Sequence, residues 1–147
     1  MSNEKTRTDL PTNFNELKKS VNRTANWRER FDAVEELGKY KSRETIELLK
    51  HSMTGDSVYK IQEAAYRQLK SIGEDVTMPE RQIGEPVKGA KKIFIRVKKS
   101  LPKDHSYQEF KVKLKKMRID VYDTYEGDKG TDFDQWLEET WSSLPAR

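Results

Sequence analysis

Apolar residues recur every three or four positions through most of the chain. Phe14, Leu17 and Val21 make the first such edge. Trp27, Phe31, Val34 and Leu37 make the second, with Ala33 beside them. Ile46, Leu49 and Met53 follow, and then Val58, Ile61, Ala65, Leu69 and Ile72. This is the period of helices that each bury a single stripe. The punctuation agrees with it. Asn13 with Glu16, and Asn26 with Glu29, have the spacing of capping boxes. Ser42 is placed to cap the third helix and Asp56 or Ser57 the fourth. Gly38, Gly55 and Gly73 stand where these helices should end.

The second half is less uniform. Residues 74–90, EDVTMPERQIGEPVKGA, hold two prolines and two glycines and read as a linker, with one helical turn after Thr77. In KKIFIRVKKSL, residues 91–101, Ile93, Ile95 and Val97 alternate as in a strand, whereas Ile93, Val97 and Leu101 fit a helix. A lone strand would leave its backbone groups unpaired, so a helix is expected, ended by Pro102. Ser106 with Glu109 caps one long helix whose stripe is Phe110, Leu114, Met117, Val121 and Tyr125. A last helix carries Phe133, Trp136, Leu137 and Trp141 and ends before Pro145. The expected organisation is a disordered tail at 1–11, helical repeats over 12–73, a linker over 74–90 and a helical region over 91–145.

A shift of 32 residues lays Ala33 on Ala65, Val34 on Tyr66, Leu37 on Leu69 and Tyr40 on Ile72. With its short turns and the Asp56 corner, FDAVEELGKYKSRETIELLKHSMTGDSVYKIQEAAYRQLKSIG resembles the HEAT-like repeats of phycobilin-lyase-type and other bacterial proteins over about residues 26–73. The resemblance implies an all-α fold, a short HEAT-like array on which a helical C-terminal extension packs. Two features depart from the pattern. The arginine before the alanine is present as Arg30 but is Gln62 in the second copy, and no third copy follows. About three repeats are needed to bury a continuous core, so other segments must cover the open ends; the N-terminal helix and the C-terminal half are the candidates.

Composition narrows the class. Hydrophobic residues are 33% and charged residues 37% of the 147, with a mean hydropathy of −1.01. That suits helices with one apolar stripe each and is not the composition of a disordered chain. There is no cysteine, which excludes disulfides, thiolate catalysis and Cys-ligated zinc and favours a cytoplasmic location. The first twenty residues contain no apolar run, so neither a secretory signal nor a membrane span is expected there.

Charge adds a pattern that the net value of +4 conceals. Residues 1–87 carry fifteen basic and fifteen acidic side chains. Residues 88–118 carry twelve basic and two acidic; residues 119–141 carry one basic and eight acidic. A basic block is followed by an acidic one. The acidic block includes DTYEGDKGTDFDQWLEETW, residues 123–141. Read as a calcium loop from Asp128, it has Gly130 at position 3, Phe133 where the sharp-turn glycine belongs, and Trp136 at position 9, so the template fails. Catalytic carboxylates would need a pocket that shifts a pKa, which the sequence does not indicate. The stretch reads as a junction: Gly127 and Gly130 break the long helix, Thr131 caps the next with Asp134 three residues on, and the tryptophans face inward.

The basic block supplies the candidate contacts to a partner or to phosphate: Lys91, Lys92, Arg96, Lys98, Lys99, Lys111, Lys113, Lys115, Lys116 and Arg118, with Lys88 and Lys103 at its margins. Lysine is a hydrated point charge, suited to phosphate contact without base reading; the alternative is a merely solvated helix face. His51 and His105 lie in different segments without spaced partners, so no metal site is expected. No phosphate-binding glycine loop, catalytic motif or cofactor motif is present. HEAT-like folds include DNA alkylpurine glycosylases, but no residue here matches a catalytic motif of theirs. The expectation is a non-enzymatic module that binds a partner protein through a helical-repeat surface. The second reading is nonspecific nucleic-acid binding through residues 88–118, and the third a HEAT-like DNA-repair enzyme.

Overall fold

The computed structural model describes residues 9–23, 25–81 and 86–145. The protein is all-α: among the described residues there are eight α-helices, one 3-10 turn and no strand element. They fall into two compact units, Met1–Arg81 and Gln82–Arg147.

The N-terminal unit contains α1 (Phe14–Val21), α2 (Trp27–Leu37), α3 (Arg43–Gly55) and α4 (Tyr59–Ser71). The helix α4 packs on both α2 and α3, and α1 packs on α2. The equivalent helices α2 and α4 begin 32 residues apart, in the register of the sequence repeat. The core is Leu17, Val21, Ala33, Val34, Leu37, Leu49, Met53, Val58, Ile61, Ala64, Ala65, Leu69 and Ile72, all buried. Trp27, Phe31 and Ile46 are only half-buried at its edge. The unit is a helical repeat-like array compatible with a HEAT-like fold.

The caps are partly as expected. Asn26 accepts from the Glu29 amide, and Ser42 forms a reciprocal capping box with Thr45. Asn13, by contrast, makes no side-chain cap. Val58 is the N-cap of α4, and Asp56 reaches forward to accept its amide at 2.9 Å. Asp56 has a larger task than a cap. Its buried carboxylate takes Arg30 Nε at 2.9 Å and Nη2 at 3.3 Å, and its main-chain oxygen accepts Gln62 Nε2 at 2.6 Å. Arg30 and Gln62, the unlike members of the repeat, thus converge on one corner. Gly73 ends α4 at φ 91, where its amide reaches Lys70 O and the next amide reaches Leu69 O. A side chain there would be strained.

The ends of this array are covered on one side by α1 and on the other by residues 74–81. Val76 packs on the core, Tyr59 Oη donates to Pro79 O at 2.7 Å, and the Arg81 guanidinium lies over the Tyr59 ring at 5.2 Å. The helical turn expected after Thr77 is absent from residues 77–81, which have no regular structure. Of the expected tail, residues 1–8 lie outside the described residues, as do 82–85 of the expected linker. Pro11, also assigned to the tail, is buried and accepts the first amide of α1.

The C-terminal unit contains α5 (Ala90–Lys99), α6 (Tyr107–Met117), α7 (Ile119–Lys129) and α8 (Phe133–Ser143), with the 3-10 turn Gly130–Asp132 before α8. Residues 90–99 are helical, as the backbone argument required. The single long helix expected after Ser106 is instead two. Arg118, at φ −141 and ψ 71, breaks it, and α7 packs against α6 rather than prolonging it. Met117 is therefore exposed, not part of a stripe. Val121, Tyr122, Asp123, Thr124 and Tyr125 are buried in succession, so every side of α7 in this stretch is covered.

The junction also differs from expectation. Gly127 lies buried within α7 and does not break it; Gly130 alone does, at φ 60 and ψ −128. Thr131 belongs to the 3-10 turn and does not cap α8, whose N-cap Asp132 also makes no side-chain bond. The tryptophans of this unit are half-buried. Trp141 donates its indole N–H to His105 Nε2 at 2.9 Å, while His105 Nδ1 lies 2.6 Å from Pro102 O. An indole N–H only donates, so Nε2 is the acceptor and the proton sits on Nδ1.

Two measurements check these contacts. Asp56→Ala leaves Arg30 buried without its carboxylate and should cost about 3–5 kcal/mol in urea unfolding; a loss within the range of a surface substitution would remove Asp56 from its central place. Nitrogen-15 NMR at neutral pH should show His105 as the Nδ1–H tautomer, and Trp141→Phe should relax that preference.

Candidate anion-docking face of the C-terminal unit

The candidate cations divide into two sets. In the first set, each has an internal partner. Lys98 Nζ donates to Trp141 O at 2.7 Å and Leu144 O at 3.0 Å, and it lies over the Trp141 ring at 5.3 Å. The last turn of α8 has no basic residue of its own, so α5 supplies the charge that its open carbonyls favour. Lys111 donates to Asp134 Oδ1, which also accepts Tyr107 Oη at 2.9 Å. This ties α6 to the first turn of α8. Arg118 donates Nε and Nη2 to the two oxygens of Asp120, both at 3.1 Å. Lys115 lies over the Tyr122 ring at 5.4 Å.

The ionisation of these groups follows from the contacts. Lys111 and then Tyr107 hold the Asp134 carboxyl below its ordinary value. Burial, then the bond to Asp134, pushes the Tyr107 hydroxyl well above the usual phenol range. For Lys111, burial opposes the charge, but Asp134, Tyr122 and Glu126 together outweigh it and hold the ammonium above its ordinary value. The Arg118 bond likewise lowers Asp120.

The second set has no ion pair among the described residues: Lys91, Lys92, Arg96, Lys99, Lys113 and Lys116. Buried Ala90, Phe94 and Val97 define the inner side of α5, which leaves Lys92, Arg96 and Lys99 at i, i+4 and i+7 on its outer side. Buried Tyr107, Phe110 and Leu114 do the same for α6, so Val112 and Lys116 project outward, with the half-buried Lys113 at the flank. Leu101, Gln108, Glu109, Val112, Lys113 and Lys116 line a shallow groove of about 380 Å³. Its one acid, Glu109, is engaged by the Ser106 amide at 2.8 Å. Val112 is 61% exposed, and Met117 beside the groove, with its sulfur 3.9 Å from Ser100 Oγ, is 40% exposed.

Val112 was not among the candidates from sequence. Its signal is a misfit: an apolar residue whose helical neighbours Gln108, Glu109, Lys115 and Lys116 are all polar. Lys91 is separate from the groove and lines a different cavity. No group of three or more potential metal ligands occurs among the described residues, and no helix among them is long and apolar enough to cross a membrane. Comparison of the chain with protein-family models, curated proteins and solved structures found no match.

The depressed carboxyl of Asp134 gives a pH prediction. Its contribution to stability is complete above the ordinary carboxylate pKa of about 4 and is lost as pH falls through the lower folded value. Asp134→Asn should flatten this part of the acid limb and cost no more than about 1 kcal/mol at neutral pH, because the carboxylate is mostly exposed. An unchanged acid limb would show that the contact does not form in solution.

Proposed function

We propose that the protein is a non-enzymatic interaction module whose C-terminal unit docks an acidic, apolar-anchored segment of a partner protein in the groove beside Val112. One observation carries the reading: the exposed Val112 lies beside Lys113 and Lys116, which have no ion-pair partner among the described residues. Lysines alone would serve a phosphate backbone as well. A phosphate backbone, however, has nothing to bury against Leu101 and Val112. An amphipathic acidic helix offers both carboxylates for the rim and leucine-type anchors for the floor. Nonspecific nucleic-acid binding through the same lysines is the competing reading.

The N-terminal unit is read as a shortened HEAT-like array. The 32-residue spacing of α2 and α4, the buried small residues Ala33 and Ala65, and the Arg30–Asp56–Gln62 corner support this. Its role in the proposal is that of a second repeat-built surface on the same chain.

The test is fluorescence anisotropy with three labelled probes: a short acidic peptide with leucines at i, i+3, i+4 and i+7, the same peptide with serines there, and duplex DNA. The leucine peptide should bind more tightly than both others near physiological salt. Lys113→Glu with Lys116→Glu, and separately Val112→Asp, should each weaken it by about tenfold or more. DNA binding that exceeds peptide binding and ignores Val112→Asp would establish the nucleic-acid reading instead. Equal binding of the serine peptide would remove the apolar floor from the interaction.

A further inference from the structure

A second concavity lies in the same unit and is lined by a different set of residues. Phe94 of α5, Tyr125 and Lys129 of α7, and Trp136, Thr140 and Leu144 of α8 contribute to a cavity of about 420 Å³, with Lys91 also at its wall. The volume suits a small molecule. Three aromatic rings, Phe94, Tyr125 and Trp136, stand together in its wall, with Pro86, Ala90 and Leu144 also apolar. Tyr125 and Trp136 stack with ring centroids 4.8 Å apart and 11° between planes, and Phe94 meets them edge-on at 5.7 and 6.1 Å. A flat ring can join such an arrangement by offset stacking or edge contact.

The polar groups in the wall have one sign. Lys91 is exposed and holds no ion pair among the described residues. Lys129 Nζ lies over the Trp136 ring at 4.9 Å, and its ion pair among the described residues is with its neighbour Asp128, at 3.6 Å. The Trp136 indole N–H has no hydrogen-bond partner among the described residues, and Trp136 is half-buried. The Thr140 and Ser143 hydroxyls are already donated to Trp136 O at 2.9 Å and Thr140 O at 2.7 Å. The wall therefore presents two ammonium groups beside an aromatic cluster.

From this we infer that the cavity is a binding site for a small planar aromatic anion, with the ring against Trp136 and the carboxylate between Lys91 and Lys129. The site is independent of the groove beside Val112. It requires no catalytic chemistry, and the cavity contains no nucleophile paired with a base.

The experiment uses the full chain, labelled with nitrogen-15, and 2-naphthoate as the probe. The three indole N–H signals are assigned with Trp136→Phe and Trp141→Phe. Saturable movement of the Trp136 indole signal, with Trp27 unmoved, is expected. The neutral analogue 2-naphthalenemethanol should bind about tenfold or more weakly, and so should naphthoate to the Lys91→Ala, Lys129→Ala double variant, since charge-assisted hydrogen bonds are lost in both cases. Both lysines are on the surface side of the wall, so the double variant should keep the parent's far-UV spectrum and melting behaviour. No saturable shift at millimolar probe overturns the site. Equal binding of the alcohol, or an unaffected double variant, overturns the anion; octanoate binding as tightly as naphthoate overturns the planar ring.

Discussion

The C-terminal unit turns on the backbone at Arg118. With φ −141 and ψ 71 at that residue, one helical stripe becomes two helices that pack on each other. Had the helix continued, Val121, Tyr122 and Tyr125 would extend away from Phe110 and Leu114 instead of joining them in one core. At the corner Arg118 donates to both oxygens of Asp120, which sits in the first turn of α7, where the helix dipole favours an acid. Because the chain folds back here, residues 121–125 of α7 can be buried on all sides, Tyr125 can stack on Trp136, and the outer side of α6 is left free with Val112 and its lysines.

The same fold sorts the charges. The run of twelve cations followed by eight anions reads as two blocks, but three contacts link the blocks inside the unit: Lys98 on the end of α8, Lys111 on Asp134, and Arg118 on Asp120. These cations serve the fold, and their worth comes from well-placed hydrogen bonds more than from charge alone. Lys92, Arg96, Lys99, Lys113 and Lys116 have no such partner among the described residues. A charge run is thus neither wholly structural nor wholly functional, and side-chain geometry distinguishes its members.

Much of the N-terminal unit was legible because local signals and packing point the same way. The capping residues Asn26 and Ser42, the end at Gly73 and the stripe from Val58 to Ile72 all appear as periodicity and turn chemistry require. What was not legible is tertiary. Asp56 looked like a cap and is the acceptor of a buried arginine 26 residues away. The break at Arg118 has no proline or glycine to announce it, and the stripe from Phe110 to Tyr125 continues in period straight through it. Gly127 looked like a breaker but is a buried helical residue, tolerated because the helix packs on every side there. For the docking groove, the lysines were visible as a block, but which of them face outward unpaired depended on partners in α8 far along the chain.

The division of the lysines is most directly tested by acetylation footprinting of the folded full chain with mass-spectrometric readout of each site. Lys98 and Lys111 should be labelled several-fold more slowly than Lys92, Lys99, Lys113 and Lys116, and the difference should vanish in denaturant. Uniform labelling of all six in the folded chain would contradict the assignment of two cations to the fold and the others to a partner.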